Sequence, residues 1–158
     1  MRISIQQHDF DVAAEFAALR ARHTQIGALV SFVGLVRDFS GGEQIEKLTL
    51  EHYSGMTEKA LAGILEEAHA RWGLIASRVI HRVGVLRPSE QIVFVAAAAA
   101  HRAPAFAATE FIIDYLKTSA PFWKKEYTPH NAEWLETKAT DVQRSARWQT
   151  FPGETACR

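Results

Sequence analysis

The sequence predicts an α+β fold: hydrophobic patterning switches repeatedly between the strand and the helix period, hairpin-like strand pairs are interrupted by single helices, and no repeat or low-complexity linker divides the chain. With 158 residues, 47% of them hydrophobic and 23% charged, the chain can bury one core of its own. Residues 1–148 are therefore expected to form a single domain, with 149–158 as a C-terminal tail.

Arg2–Gln6 alternates as a short strand, and Asp9 or Asp11 can cap a helix that places Val12, Phe16 and Leu19 on one face and ends near His23. Ala28–Val36 is apolar on both alternating faces and rich in β-branched residues, which predicts a strand buried on both sides with Arg37 leaving its end. Asp38–Gly42, with two glycines and a serine, reads as a mobile loop. Lys47–Tyr53 reads as the strand returning from it, so that the two form a hairpin.

From Thr57 the period changes to that of a helix. Leu61, Ile64, Leu65, Ala68 and Trp72 form one stripe, and Gly73 stands where a helix C-cap takes glycine. Arg78–Leu86 and Gln91–Ala98 are expected strands joined by a tight turn at Arg87-Pro88-Ser89-Glu90, the alanines weakening the end of the second. Pro104 suits the first turn of a helix from Ala103 to Thr118, with Ala105, Ala108, Ile112 and Leu116 on its buried stripe. Phe122–Tyr127 and Trp134–Lys138 read as short strands about a turn at Pro129-His130-Asn131, and Asp141–Trp148 as a last helix.

Acidic and basic residues balance at 18 each, so the global positive field of a nucleic-acid binder is missing. The longest apolar stretch, Ile92–Ala100, is too short to span a bilayer, and the N-terminus lacks the pattern of a signal peptide, which makes the cytoplasm the expected location. The single cysteine, Cys157, sits in the tail, away from any position suited to a buried catalytic thiolate. No motif calls for a metal or a cofactor: the seven histidines show no ligand spacing, and Gly41-Gly42 lacks the lysine of a phosphate loop. Glu51-His52 is unsuited to act as an acid/base pair because neighbours on a strand point to opposite faces, and His52 reads as structural.

The densest chemical signal is cationic. Lys117, Lys124 and Lys125 cluster after the predicted long helix, His101 and Arg102 precede its N-terminus, and Arg37 ends a strand. Free backbone N–H groups and the helix dipole at His101-Arg102 favour a phosphate or carboxylate, so an anionic ligand is expected. Lysines after a helix also serve simply its C-terminal dipole. Phe122-Trp123 reads equally as a wall for a flat heterocycle or as a pair of core anchors. A helix rises about 1.5 Å per residue, which separates Arg102 from Lys117 by roughly 20 Å. Either the chain has two anion sites, or a symmetric dimer brings His101 and Arg102 of one subunit to Lys117 and Lys124 of the other; the dimer is the favoured expectation.

Four ordered blocks, Leu50–Lys59 (LEHYSGMTEK), Ile80–Leu86 (IHRVGVL), His101–Phe106 (HRAPAF) and above all Asp114–Glu126 (DYLKTSAPFWKKE), resemble the signature blocks of the catalytic (large) subunit family of molybdopterin synthase. The similarity runs from about Ile3 to Trp148. It implies an α/β hammerhead-type fold with an additional small antiparallel β-sheet. It also implies a homodimer that binds a small ubiquitin-like sulfur-carrier subunit at each end, giving a heterotetramer. In that family the carrier's Gly-Gly C-terminus, as a thiocarboxylate, donates sulfur in two rounds to cyclic pyranopterin monophosphate and forms the dithiolene of molybdopterin, a sulfurtransferase reaction in molybdenum cofactor biosynthesis.

By the same resemblance Lys117 and Lys124 match the family's active-site lysines, and Arg37, His101, Arg102, Lys125 and Glu126 its substrate-binding residues. Arg37, His101 and Arg102 would neutralise the cyclic phosphate and developing anions. Lys117 would transfer a proton or polarise the thiocarboxylate. The chain departs from the family at Ser54, where proline is common, at Ser119, where some members carry a basic residue, and at Lys138, where an arginine can contribute to the site. Two other readings use the same cations: a noncatalytic module for an anionic nucleotide or pterin, and an adaptor that captures only a partner's C-terminal carboxylate.

Overall fold

A computed structural model of the chain describes residues 1–21 and 23–149. The tail reading beyond Gln149, and Cys157 with it, lies outside these residues.

The main sheet has the strand order β1-β6-β8-β2, formed by β1 (Arg2–Gln6), β2 (Ala28–Leu35), β6 (Ala76–Arg82) and β8 (Gln91–Ala99). β1 runs parallel to β6, whereas β6 and β2 are antiparallel to β8. β8 runs through the alanine run to Ala99, and Ala96, Ala97, Ala98 and Ala99 are all at most 1% exposed. Alternation along β8 sends Val93, Val95, Ala97 and Ala99 to one face, under α2 (Met56–Trp72) and α3 (Arg102–Ser119), and Phe94, Ala96 and Ala98 to the other, under α1 (Val12–Arg20). Small side chains at these positions let helices approach both faces of a central strand, and tertiary burial here overrides the weak strand preference of alanine.

α1 starts at Asp11, whose Oδ1 accepts from the N–H groups of Ala13 and Ala14, and it ends at Arg20, earlier than its pattern suggests. α2 ends on Gly73 in the left-handed region at φ 58°, as the sequence indicates. In the turn between β7 (Gly84–Leu86) and β8, the Glu90 N–H donates to the Arg87 carbonyl at 3.0 Å, with Pro88 and Ser89 at the central positions and Ser89 at φ 73°.

A second sheet has the order β10-β9-β5-β7, from β5 (Lys47–His52), β7, β9 (Phe122–Tyr127) and β10 (Ala132–Leu135), all antiparallel. This is the additional antiparallel sheet expected within the α+β fold. α4 (Ala139–Ala146) follows it and packs on α3.

Three sequence expectations need correction. The hairpin of Ala28–Val36 with Lys47–Tyr53 does not form: β2 pairs along its length with β8, and β5 lies between β9 and β7 in the other sheet. β2, partly buried along most of its length, belongs beside the helix-covered central strand, whereas β5 alternates buried and more exposed residues and suits a sheet covered on one side. The expected loop Asp38–Gly42 contains instead a two-residue strand, β3 (Phe39–Ser40), that turns at Gly41-Gly42 into β4 (Glu43–Gln44). Both glycines have positive φ, as a two-residue hairpin turn requires. Arg78–Leu86 is likewise two strands. The main-sheet run ends at Arg82, and Gly84, at φ 87°, opens β7 in the second sheet, where it pairs with Leu50.

No helix among the described residues is long and apolar enough to cross a membrane.

Candidate active site

Residues of both sheets line a cavity of about 910 Å³. The end of β2 and the residues after it contribute Gly34 to Arg37, β6 contributes His81, and the last two turns of α3 contribute Ile113, Leu116 and Lys117. β9 contributes Lys124 and Glu126, while Lys138, Asp141 and Arg144 come from α4 and the residue before it. Four residues expected from the sequence therefore share one space: Arg37, Lys117, Lys124 and Glu126.

Strand geometry decides which residues of Phe122–Tyr127 take part. Alternation puts Phe122, Lys124 and Glu126 on one face and Trp123, Lys125 and Tyr127 on the other. The Lys125 ammonium lies over the rings of Tyr127 and Trp134, 5.4 Å from each centroid, and is not among the cavity residues. Trp123 is 48% exposed, whereas Phe122 packs against the core and stacks on the His81 imidazole with centroids 3.7 Å apart at 15°. Phe122 and Trp123 thus form no common aromatic wall, and Phe122 is the core anchor of the pair.

The two cavity lysines differ. Lys117, in the last turn of α3, has a largely open side chain, and its Nζ lies 3.7 Å from Asp141 Oδ1. Lys124 is half-buried, and that burial, reinforced by the Lys117 and Lys138 ammonium groups, holds its pKa below the ordinary lysine value against the opposing pull of Asp141 and Glu126. The neighbouring cations crowd Lys124. A lysine so placed carries a neutral amine at lower pH than a solvated one.

His101 and Arg102 are exposed at the start of α3, His101 as its N-cap residue, and neither lines the cavity. The helix keeps them apart from Lys117 within one chain, as its length requires.

α4 is fastened behind the cavity by a clasp around Asp114, which is 4% exposed. Its Oδ2 accepts from Arg147 Nη2 at 2.9 Å and from Trp148 Nε1 at 2.8 Å, and Arg147 also meets Glu110 Oε1 at 2.6 Å. Arg71 Nη1 donates to the Trp148 carbonyl at 2.7 Å. The Trp148 ring packs edge-on against Trp72 and Phe111, each with centroids 5.6 Å away. Asp114 is a structural member of the DYLKTSAPFWKKE block, three residues before Lys117.

Sequence reasoning passed over His81, Asp141 and Arg144 as cavity residues and left Lys138 open. His81 lay inside the IHRVGVL block, but only the pairing of β6 between β1 and β8 shows that the strand end reaches the cavity. Asp141 and Arg144 carry no motif, and the docking of α4 alone brings them in.

Residues 5–119 match the profile of the MoaE protein family. A molybdopterin synthase catalytic subunit from Ralstonia nicotianae is 58% identical over 146 residues, which cover 92% of this chain and 83% of that protein. The solved structure of a molybdopterin biosynthesis MoaE protein from Burkholderia ambifaria superposes with a TM-score of 0.81 at 53% identity, covering 95% of this chain and 99% of that one. The structure of molybdopterin synthase from Staphylococcus aureus superposes with a TM-score of 0.78 at 32% identity, covering 84% of this chain and 96% of that one. Sequence and fold agree along nearly the whole length, and the chain belongs to the MoaE protein family.

Proposed function

We propose that the chain is the catalytic subunit of a molybdopterin synthase, a sulfurtransferase that moves sulfur from the thiocarboxylated C-terminus of a small carrier subunit to cyclic pyranopterin monophosphate. The observation that carries the proposal is the single cavity that gathers Arg37, Lys117, Lys124 and Glu126 at the junction of the two sheets. Arg37 and Lys117 face the anionic groups, and their charge stabilises negative charge that develops as sulfur is transferred. Lys124 takes the proton-transfer role, because its lowered pKa supplies an amine at the position where the charge is most crowded. A cytoplasmic location goes with this assignment.

The direct test is incubation of the chain with thiocarboxylated carrier and the cyclic pterin. Dithiolene product is expected, whereas saturable binding without product would leave only the binding-module reading. If the Lys124 amine is the working form, turnover rises with pH through its lowered pKa, and Lys124→Arg flattens that limb as well as lowering the rate; a pH–rate series on both proteins checks this.

The same proposal includes a homodimer in which His101 and Arg102 of one subunit complete the cavity of the other. The unpaired edge of β2 with Phe32 and Leu35, and Phe106 at 62% exposure one turn beyond Arg102, offer apolar surface for such a contact. Mixing equal amounts of Lys117→Ala and Arg102→Ala subunits is expected to restore about a quarter of wild-type turnover, since half the dimers are mixed and each mixed dimer has one intact site. No recovery after verified subunit exchange would sink the shared site.

A further inference from the structure

His81 is the penultimate residue of β6, beside Arg82, is 1% exposed, and lines the cavity. Its ring is fixed in two ways. Phe122 stacks on one face, and Nδ1 lies 2.8 Å from the Arg82 carbonyl oxygen. A carbonyl only accepts, so Nδ1 carries the hydrogen and Nε2 is left as a bare acceptor.

Among the described residues no donor hydrogen-bonds to Nε2. Among the described residues the one buried side-chain nitrogen or oxygen sealed away without a partner is His52 Nδ1, so Nε2 is not sealed and opens onto the cavity that His81 lines. Burial, joined by the charges of Lys124 and His52 and only partly opposed by the Arg82 carbonyl, lowers the His81 pKa to about 3. The ring therefore stays neutral, and Nε2 stays an acceptor, throughout the physiological range.

The other groups around it are of a different kind. Arg37, Lys117, Lys124, Lys138 and Arg144 present positive charge, and Glu126 and Asp141 present negative charge. Cations answer a phosphate or a thiocarboxylate. A rigid neutral acceptor answers an uncharged N–H, and a reduced pterin carries such donors on its ring and amino group while a phosphate group carries none.

We propose that His81 is a specificity-determining residue of the cavity, its Nε2 accepting a hydrogen bond from an N–H donor on the pterin heterocycle while the surrounding cations hold the anionic groups. The inference rests on the molybdopterin synthase reading, and it adds a residue that recognises the heterocycle itself. A site that hydrogen-bonds a substrate N–H discriminates strongly against ligands that lack it.

The test compares two variants of the full chain. His81→Asn keeps an N–H for the Arg82 carbonyl and places nothing at Nε2, whereas His81→Gln returns an amide oxygen near that position. Calorimetric titration with cyclic pyranopterin monophosphate is expected to show affinity about tenfold weaker for His81→Asn and partly recovered for His81→Gln. Titration with inorganic phosphate should show no change in either. In the wild-type chain, nitrogen NMR should find Nε2 unprotonated and shifted on addition of the pterin but not of phosphate. Unchanged pterin affinity in a folded His81→Asn, or an Nε2 resonance that stays fixed at pterin saturation, overturns the role of His81 and leaves the synthase reading standing. A wild-type chain that binds no pterin at all overturns both.

Discussion

Lys117→Ala is expected to lower dithiolene formation by at least about 100-fold with the carrier subunit intact, the scale of losing a charged group that acts on the transition state. The side chain is 42% exposed and its one ion pair among the described residues is with the half-buried Asp141 at 3.7 Å, so the fold should survive the change; a partly exposed pair at that distance contributes little to stability. Two consequences reinforce one another. On the proposed function the cavity loses a cation that faces the transferred group, and Asp141 loses its ion-pair partner, so less of its negative charge is offset where an anionic substrate would enter. Removal of the neighbouring ammonium also lets the Lys124 pKa move back up, which reduces its neutral fraction. Single-turnover measurements with preloaded carrier would isolate this effect from partner binding. Full turnover by a folded Lys117→Ala chain would remove Lys117 from the mechanism.

Phe111→Ala should be the most damaging core substitution near the site, costing about 3–5 kcal/mol and lowering the melting temperature by roughly 10 °C. Phe111 is fully buried in α3 and sits at the centre of a ring cluster, with Tyr115 at 4.6 Å, Trp72 at 5.1 Å and Trp148 at 5.6 Å between centroids. The Arg71 guanidinium lies 5.0 Å from its ring. Loss of the ring opens a cavity that these groups cannot close without moving the segment that carries Trp148. That segment holds α4 in place, so thermal unfolding and substrate affinity should fall together. A variant with near-native stability would show that the Asp114 clasp alone secures α4.

The long helices and most strands were legible because their signals are local. The Leu61-to-Trp72 stripe with Gly73 and the helix after His101 follow from period and capping, and alternation alone marks β1 and β9. Pairing was not legible. The β2–β5 hairpin was inferred from adjacency in sequence, yet a long-range partner, β8, offered β2 a better-covered position. The site divides along the same line. The cations were recognisable from residue type and from the DYLKTSAPFWKKE block, but Lys125 was separated from Lys124 only by the pleat of β9. His81, Asp141 and Arg144 entered through packing between elements distant in sequence. The separation of His101 and Arg102 from Lys117 was foreseeable, because helix rise is a fixed length.

At Gly84 the chain enters the second sheet from the first, and the two sheets are joined by chain but not by strand pairing. Lys117 rides on a helix packed against the first sheet, and Lys124 is a residue of the second. The gap between the two ammonium groups is thus a dimension between layers, set by how the two sheets pack and not by either sheet alone. The cavity is in this sense a seam between layers, with Gly84 at one of the points where the chain crosses it.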